Sequence, residues 1–245
     1  MIDLHCHLLP GIDDGPKTLQ DSLALCKKAV ANGINRAVTT PHIIPGRYDN
    51  DVNSINGAWQ ALKQELAIAG ISLELGMAAE VRLDPVIMDY IKQDRVPFLG
   101  KYGREPLLLL EFPHTHIPPG SKEFVKWLFK EGIRPMIAHP ERNGDVINSL
   151  KKIEPFVRAG CLLQVTAASL DGTFGDEPKK RAEQMLKKDW VTILASDAHN
   201  LGKRSPSIEP GRQVAAKIVG EARSWELVRD VPAEISKEHF EISEK

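Results

Sequence analysis

The sequence predicts an α/β protein built on a parallel sheet, and two observations support this prediction. Short β-prone runs alternate along the chain with longer amphipathic stretches. Several of these stretches end at a glycine, a residue that often follows the last turn of a helix, as at Gly33, Gly70, Gly132 and Gly160. Strands that alternate with helices usually pair in parallel, because each helix carries the chain back across the sheet. Two architectures remain open: an open doubly wound sheet and a closed or distorted barrel.

Each predicted element has its own pattern. Seven short runs of mainly apolar or branched residues are predicted to be strands: Met1–Leu4, Arg36–Thr40, Leu73–Ala79, Leu107–Phe112, Arg134–Ala138, Leu162–Thr166 and Val191–Ala195. Six stretches with apolar residues at helical spacing are predicted to be helices: Asp21–Asn32, Val52–Ala69, Asp84–Lys92, Ser121–Glu131, Asn148–Ala159 and Pro178–Lys188. Residues from about 207 to 245 are expected to form terminal helices.

Composition restricts the class of protein. The chain has 245 residues, 42% of them hydrophobic, and 32 Lys+Arg against 33 Asp+Glu give a net charge of −1. This profile predicts one domain spanning residues 1–245 and gives no reason to expect a nucleic-acid partner. The apolar run at Leu107–Leu110 is too short to span a bilayer, and the N-terminus does not resemble a signal peptide. Three cysteines argue against a disulfide framework, so we expect a cytoplasmic protein.

Histidine and carboxylate side chains cluster at the ends of the predicted strands. The residues concerned are His5, His7, His42, Glu80, Glu111, His139, Asp197 and His199. In parallel α/β proteins the carboxyl ends of the strands form one mouth. The sequence therefore predicts that these eight side chains, all able to bind metal, meet in one pocket.

Two pairs of these residues share the same spacing. His5 and His7 are two positions apart, so in a strand both point to one face while Cys6 points to the other. Asp197 and His199 repeat this spacing after the last predicted strand. A single such pair is often only a polar surface or a hydrogen-bonded core feature. Two pairs favour a metal site.

Carboxylates in apolar surroundings strengthen this interpretation. Glu80 and Glu111 each follow an apolar run, where burial of a lone carboxylate is costly unless a cation compensates it. Salt bridges with Arg82 or Arg104 are the alternative. The pair Asp13–Asp14 has two interpretations as well: it either contributes a metal ligand or only forms a turn.

Two arginines follow candidate ligands closely. Arg142 comes soon after a strand, and Arg204 soon after another. Guanidinium groups present paired donors and stay charged, so they suit phosphate, although surface salt bridges are the alternative. His114, His116 and His239 are assigned no metal role.

The order of these motifs resembles that of a known superfamily. They are Met1–His7, Asp13–Pro16, Thr40–His42, Glu80, Leu110–Phe112, Ala138–Arg142 and Ala195–Asn200. Together they resemble the polymerase and histidinol phosphatase (PHP) superfamily. Within it, the chain is most similar to the bacterial manganese-dependent protein-tyrosine phosphatases of capsule and exopolysaccharide synthesis.

This resemblance implies a distorted (β/α)7 TIM-like barrel with a site for three metal ions. The first ion would be bound by His5, His7, Glu80 and Asp197. The second would be bound by Glu80, Glu111 and His139. The third would be bound by Asp14, His42 and His199, with Asp13 as the alternative to Asp14. By the same resemblance, Arg142 and Arg204 would hold the substrate phosphate.

The implied function is hydrolysis of phosphotyrosine on proteins by a metal-activated hydroxide, which would regulate capsule synthesis. Imidazole and carboxylate ligands suit Mn²⁺, our first choice, with Fe²⁺ or Zn²⁺ possible. The resemblance implies a bacterial tyrosine kinase with a phosphorylated tail as the substrate protein. Cysteine-dependent chemistry is disfavoured, because the residues six positions after the three cysteines are Ile12, Asn32 and Ala167, not arginine. The alternatives are a histidinol-phosphate phosphatase and a non-catalytic accessory domain; the oligomeric state stays open.

Overall fold

The structure, a computed structural model, describes residues 1–241. The end of the predicted C-terminal helical region, residues 242–245, lies outside the described residues. Within residues 1–241 the strands are β1 (Ile2–Cys6), β2 (Arg36–Thr39), β3 (His42–Ile43), β4 (Glu74–Met77), β5 (Glu80–Arg82), β6 (Gly100–Tyr102), β7 (Glu105–Glu111), β8 (Arg134–Ala138), β9 (Leu162–Thr166) and β10 (Ile193–Ala195).

The α-helices of the described residues alternate with these strands. They are α1 (Leu19–Ala31), α2 (Val52–Ile68), α3 (Ile87–Lys92), α4 (Ser121–Lys130), α5 (Gly144–Asn148), α6 (Glu154–Arg158), α7 (Ala167–Leu170), α8 (Asp176–Lys187), α9 (Glu209–Val219), α10 (Glu221–Trp225), α11 (Val231–Ile235) and α12 (Lys237–Phe240). Short 3₁₀ turns lie at Pro140–Arg142 and Leu150–Lys152, and a π-helical turn lies at Glu226–Asp230.

The strands form two sheets. One contains β1, β2 and β4 in the order β1-β2-β4, and the other has the order β10-β9-β8-β7-β5-β3, with β6 paired to β7. All pairs are parallel except β6 with β7. A parallel bridge between Cys6 and Ala198 links the end of β1 to the segment after β10. The predicted α/β fold with parallel sheets is confirmed.

Two of the predicted strands are each followed by a short strand that was not predicted. The run predicted at Arg36–Thr40 is followed by β3, which begins after Pro41, a residue without an N–H group for a strand ladder. The run predicted at Leu73–Ala79 is likewise followed by β5. In the second sheet, His42 of β3 pairs with Glu80 of β5. The interruptions therefore bring two candidate ligands side by side.

Other differences from the predicted elements have local causes. Helix α1 begins before the predicted Asp21, because the Thr18 hydroxyl accepts a hydrogen bond from the Asp21 N–H at 3.2 Å and caps the helix. The single helix predicted at Asn148–Ala159 is wrong. Ser149 is extended (φ −153°, ψ 114°) and breaks it, and Pro155 lies in the first turn of a new helix, α6, where its missing N–H is tolerated.

Strand β7 shows how the core positions the site. Its leucines alternate between two hydrophobic clusters: Leu107 and Leu109 belong to the smaller cluster, while Leu108 and Leu110 belong to the larger one. Glu111 follows at the next position on the Leu109 face, because side chains alternate along a strand. The smaller cluster therefore lies beneath a carboxylate at the end of the strand.

The C-terminal helices pack against the sheets. Helix α12 lies on β4, where a Cβ atom added to Gly76 would lie 2.9 Å from His239. The His239 ring also lies 3.2 Å from the Leu99 carbonyl oxygen. The terminal helices expected from the sequence are therefore present up to Phe240.

From the sequence we expected neither a disulfide framework nor a membrane-spanning segment. All three cysteines are buried and free of disulfides. Among residues 1–241, no helix combines the length and the apolar character that a membrane crossing requires.

Candidate metal centre

The nine residues predicted as metal ligands lie together, where the parallel strands end or resume. They are His5 in β1, His7 just after it, Asp14 in the following loop, His42 at the start of β3, Glu80 at the start of β5, Glu111 at the end of β7, His139 after β8, and Asp197 and His199 after β10. All except Asp14 are buried. The predicted convergence of these side chains is therefore present in the structure.

The first group of side chains is the one predicted for the first ion: His5, His7, Glu80 and Asp197. The Nε2 atoms of His5 and His7 lie 3.2 and 3.3 Å from Glu80 Oε2. They lie 3.4 and 3.6 Å from Asp197 Oδ1. Two ligand atoms that each sit about 2.1 Å from one ion are at most about 4.2 Å apart. All four separations fit a shared cation.

A second group contains Asp14, His42 and His199 together with His7. Asp14 Oδ1 lies 3.3 Å from His42 Nε2 and 3.2 Å from His199 Nε2. Asp13 instead accepts a hydrogen bond from His7 Nδ1 at 2.7 Å, outside this group. Of the two neighbouring aspartates, Asp14 is thus the one whose oxygen faces the histidines.

The remaining carboxylates lie between these groups and His139. His139 Nε2 lies 2.8 Å from Glu80 Oε1 and 3.9 Å from Glu111 Oε1. Glu111 Oε2 accepts a hydrogen bond from Arg82 Nε at 2.7 Å, so the salt bridge considered from the sequence is present for Glu111. The Glu80 carboxylate has no lysine or arginine partner in the part of the chain that the structure describes, and its neighbours are histidines, among them His42 at 3.0 Å.

One histidine that sequence reasoning set aside lies next to this site. A ring nitrogen of His114 falls within 4.8 Å of ligand atoms from Glu111 and His139. The rings of His114 and His139 stack, with centroids 5.4 Å apart and an interplanar angle of 27°. The only signal in the sequence is that His114 follows Glu111 by three positions. His116 and His239 join no such group within residues 1–241.

The buried Gln164 sets the orientation of His5. The Oε1 atom of Gln164 accepts a hydrogen bond from the His139 backbone N–H at 3.0 Å. Because a backbone N–H can only donate, the atom that faces it must be the amide oxygen. The same oxygen lies 2.9 Å from His5 Nδ1, which must therefore carry a proton and donate it. The lone pair of His5 then lies on Nε2, which faces the carboxylates.

Two other histidines are held in the same way. His7 Nδ1 donates to Asp13 Oδ2 at 2.7 Å, and His199 Nδ1 donates to the Asp197 carbonyl oxygen at 3.0 Å. Metal-binding histidines typically donate their outer nitrogen to a carboxylate or carbonyl in this way, which orients the other nitrogen. Sequence reasoning missed Gln164 altogether and considered Asp13 only as a ligand or a turn former.

The inner atoms of the site lack hydrogen-bond partners. Among the described residues, none of His5 Nε2, His7 Nε2, His42 Nδ1, His199 Nε2 and Glu80 Oε2 makes a hydrogen bond of acceptable geometry, although a carboxylate oxygen lies 3.0–3.3 Å from each of the four nitrogens. Buried polar atoms are normally hydrogen-bonded, so a cluster of unpartnered lone pairs requires an explanation. Divalent cations bound by these nitrogens and oxygens would satisfy them, so the donor set fits a metal centre.

The pKa shifts of His5 and Glu80 indicate ionised carboxylates beside imidazoles at the centre. Burial alone would lower the pKa of His5, but the charges of Glu80 and Asp197 raise it to about 9. Burial alone would raise the pKa of Glu80, but the neighbouring His5 and other imidazoles hold it well below its usual range. Burial, together with the positive charge of Arg142, lowers the pKa of His139 to about 3. Ionised carboxylates beside imidazoles suit cations, which take the place of the protons.

Arg142 and Arg204 both reach the same buried carboxylate. Arg142 Nη2 lies 2.6 Å and Arg204 Nη2 2.8 Å from Asp197 Oδ2. These ion pairs are therefore not the surface salt bridges considered from the sequence. The Nε atoms of both arginines have no acceptor within residues 1–241. The site thus combines a group of lone pairs with free guanidinium donors at its edge.

Two site residues have strained backbones. His139 and Asp197 have positive φ angles of 31° and 52°, in the left-handed region of backbone conformation that residues other than glycine rarely adopt. Such conformations cost on the order of 1–3 kcal/mol and concentrate at functional sites. Here they turn the chain just after β8 and β10 and direct both side chains into the cluster.

Comparison with known proteins identifies relatives over almost the whole chain. Residues 1–237 match the family described as capsular polysaccharide synthesis, CpsB/CapC. The chain is similar to the tyrosine-protein phosphatase YwqE of Bacillus subtilis, with 31% identity over 231 residues that cover 94% of this chain and 89% of YwqE. It is 29% identical over 246 residues to the tyrosine-protein phosphatase CpsB of Streptococcus pneumoniae, covering 96% of this chain and 98% of that protein.

The structural comparison agrees. The chain matches a chain from the crystal structures of YwqE from Bacillus subtilis and CpsB from Streptococcus pneumoniae, which are described as unique metal-dependent tyrosine phosphatases. The TM-score is 0.89 at 28% identity, and the match covers 99% of this chain and 96% of the other. The protein therefore belongs to the CpsB/CapC family of capsular polysaccharide synthesis.

Proposed function

We propose that this chain is a metal-dependent phosphatase that hydrolyses phosphotyrosine on proteins. Its relatives YwqE and CpsB are named tyrosine-protein phosphatases. The structure that matches at a TM-score of 0.89 is described as a metal-dependent tyrosine phosphatase. The observation that carries the proposal is the cluster of unpartnered imidazole and carboxylate atoms next to unpartnered Nε donors of Arg142 and Arg204. One part suits cations and the other suits a phosphate group.

The metal-binding residues are those predicted from the sequence, divided among three ions. His5, His7, Glu80 and Asp197 would bind the first ion; Glu80, Glu111 and His139 the second; Asp14, His42 and His199 the third. Divalent ions held there would lower the pKa of coordinated water towards neutrality and offset the negative charge of the phosphoryl oxygens. Mixed imidazole and carboxylate ligands suit Mn²⁺, the ion we propose, and they also suit Fe²⁺ or Zn²⁺.

The arginines have a separate role. Arg142 and Arg204 bind the phosphate oxygens through N–H donors, and the Asp197 carboxylate between them holds both guanidinium groups at the edge of the site. Tyrosine is a good leaving group, because its phenol has a pKa of about 10. Protonation of the leaving oxygen by a dedicated acid is therefore less important than for an alkyl phosphate.

The family supports a proposal for the substrate protein. We propose a tyrosine-phosphorylated protein of capsular polysaccharide synthesis, specifically a bacterial tyrosine kinase with a phosphorylated tail. Incubation of such a phosphorylated kinase with the metal-loaded protein should remove its phosphotyrosine signal. A signal that persists while a phosphotyrosine peptide is hydrolysed would contradict this choice of partner.

We also propose that both sheets form one distorted (β/α)7 barrel in a single domain spanning residues 1–245. Along the chain, β3 continues β2 and β5 continues β4, so each of these pairs counts as one strand of the barrel. The antiparallel β6 pairs only with β7 and is not counted, which leaves seven barrel strands among the described residues. The hydrogen bonds from the Asp197 N–H to the His5 carbonyl and from the His7 N–H to the Ala198 carbonyl, at 2.7 and 2.8 Å, support closure between β1 and β10. Both amide protons should exchange slowly; fast exchange at both positions would contradict closure.

One experiment tests the activity. Metal content is measured by elemental analysis, and turnover of a phosphotyrosine peptide and of histidinol phosphate is measured on the same Mn²⁺-loaded sample. We expect bound metal and a preference for the peptide. A large preference for histidinol phosphate would favour the alternative phosphatase, and a metal-free protein inactive on p-nitrophenyl phosphate would favour a non-catalytic domain.

A further inference from the structure

We propose that His114 is a ligand of the metal ion bound by Glu111 and His139. The inference rests on the proposed metal centre and adds to it a residue for which sequence reasoning assigned no metal role. It concerns a loop side chain that approaches the centre from outside the strand ends.

The donor atoms lie close together, and a small movement of the exposed His114 ring would bring them to the separation of at most about 4.2 Å that one ion requires. One ligand atom each from Glu111, His114 and His139 lies within 4.8 Å of the others. Two imidazoles and one carboxylate make a donor set that suits a divalent transition metal such as Mn²⁺ or Fe²⁺. No hydrogen bond to the His114 ring is formed by any residue from 1 to 241, so its nitrogens are not committed to another side chain in this part of the chain.

The backbone of the loop is held against the site. Asn143 Nδ2 donates to the Pro113 carbonyl at 2.7 Å, and the Gly144 N–H donates to the His114 carbonyl at 2.7 Å. A Cβ atom on Gly144 would lie 2.5 Å from the Thr115 carbonyl oxygen, so only glycine allows this close approach. These contacts hold His114 beside the segment that follows His139, and they do so without using its ring.

Arg82 determines which oxygen of Glu111 is available. Arg82 Nε donates to Glu111 Oε2 at 2.7 Å, while Oε1 is the oxygen nearer to His139 Nε2, at 3.9 Å. The guanidinium thus occupies one oxygen and leaves the other towards His139. The exposed ring of His114 stacks on that of His139, with centroids 5.4 Å apart. The ion proposed for Glu80, Glu111 and His139 would thereby gain a fourth ligand, supplied by a loop and not by a strand end.

The test compares metal binding by variants that separate ligation from stacking. His114→Phe keeps an aromatic ring to stack on His139 but removes both nitrogens, and His114→Ala removes the ring as well. His116→Ala is the matched control, because His116 is exposed in the same loop and its Nδ1 lies 2.8 Å from the Thr115 hydroxyl. Bound Mn²⁺ is counted by electron paramagnetic resonance during titration of chelator-treated protein, and the unfolding temperature of each metal-free variant is measured.

We expect His114→Phe and His114→Ala to weaken the binding of one ion per chain, while His116→Ala binds as the wild type does. Loss of an outer-shell partner weakens metal binding by about 10–100-fold, so loss of a direct ligand should weaken it at least as much. Equal unfolding temperatures of the metal-free proteins would show that the fold is intact. If His114→Phe binds every Mn²⁺ ion as tightly as the wild type, the inference is overturned. Failure of the proposed function would look different, because the wild type itself would then bind no Mn²⁺ or leave phosphotyrosine peptide intact.

Discussion

Replacement of Gln164 tests whether the imidazoles are oriented to bind metal. Gln164 is buried, and its Oε1 atom accepts two hydrogen bonds, from His5 Nδ1 at 2.9 Å and from the His139 N–H at 3.0 Å. Leucine has a similar volume but no acceptor, so Gln164→Leu leaves both donors unpaired. His5 is then free to rotate or to change tautomer, and its Nε2 lone pair no longer points reliably at the metal position.

The magnitude follows from these two contacts. Loss of an outer-shell partner of a metal ligand weakens metal binding by about 10–100-fold, or about 1.4–2.8 kcal/mol. Each buried donor left unpaired costs about 1–3 kcal/mol, so the two donors together should lower the free energy of unfolding of the metal-free protein by about 2–6 kcal/mol. Gln164→Glu is the matched control. It keeps an acceptor oxygen and replaces Nε2, for which no hydrogen-bond partner is found within residues 1–241, by a second carboxylate oxygen.

Two measurements check the prediction. Titration of chelator-treated protein with Mn²⁺ gives the affinity, and urea denaturation without metal gives the free energy of unfolding. We expect Gln164→Leu to weaken Mn²⁺ binding and Gln164→Glu to recover most of it. Mn²⁺ affinity that is the same in Gln164→Leu and the wild type would refute the argument that this amide orients His5.

Three further predictions concern other parts of the molecule. Arg142→Lys keeps a positive charge beside the Asp197 carboxylate but removes the paired donors of the guanidinium group. Loss of a charge-assisted hydrogen bond, worth about 1.5–3 kcal/mol, should lower kcat/KM for a phosphotyrosine peptide by about 10- to 150-fold. An unchanged kcat/KM would argue against phosphate binding by Arg142. Cys6 is buried, and burial raises the pKa of its thiol well above the usual value, so the thiol stays protonated and is a poor nucleophile. Cys6→Ser should therefore keep most of the activity, while His5→Ala loses metal and activity. An inactive Cys6→Ser protein with full metal content would contradict the metal mechanism. Burial lowers the pKa of His239, so its protonation favours the unfolded chain, and stability should fall as the pH drops below about 6.5. The free energy of unfolding of His239→Gln should depend less on pH in that range, and identical profiles for variant and wild type would rule out this contribution.

Local sequence patterns were sufficient to predict most of the longer strands and helices. The strands predicted at Arg134–Ala138 and Leu162–Thr166 have the same bounds in the structure, because short apolar runs between helices carry a strong signal. The short β3, β5 and β6 were not predicted. A two- or three-residue strand has too little periodicity to be recognised, and its existence depends on the neighbour with which it pairs.

The sequence also determined which side chains converge, because strand ends in a parallel sheet meet on one side whatever the details of packing. His5, Glu80 and Asp197 could be placed together on that ground alone. The partners of these residues could not. Gln164 contacts His5 across 159 positions of the chain, and nothing in the residues around Gln164 marks it as an acceptor for that imidazole.

Only the tertiary structure decided the roles of the surrounding residues. It placed Asp13 behind His7, turned Asp14 towards the histidines, and brought His114 next to His139. The physical reason is range. Strand periodicity fixes the direction of a side chain from its immediate neighbours, whereas a hydrogen bond or a metal ligand depends on tenths of an ångström between segments far apart in the chain. Those distances are set by the packing of the whole domain.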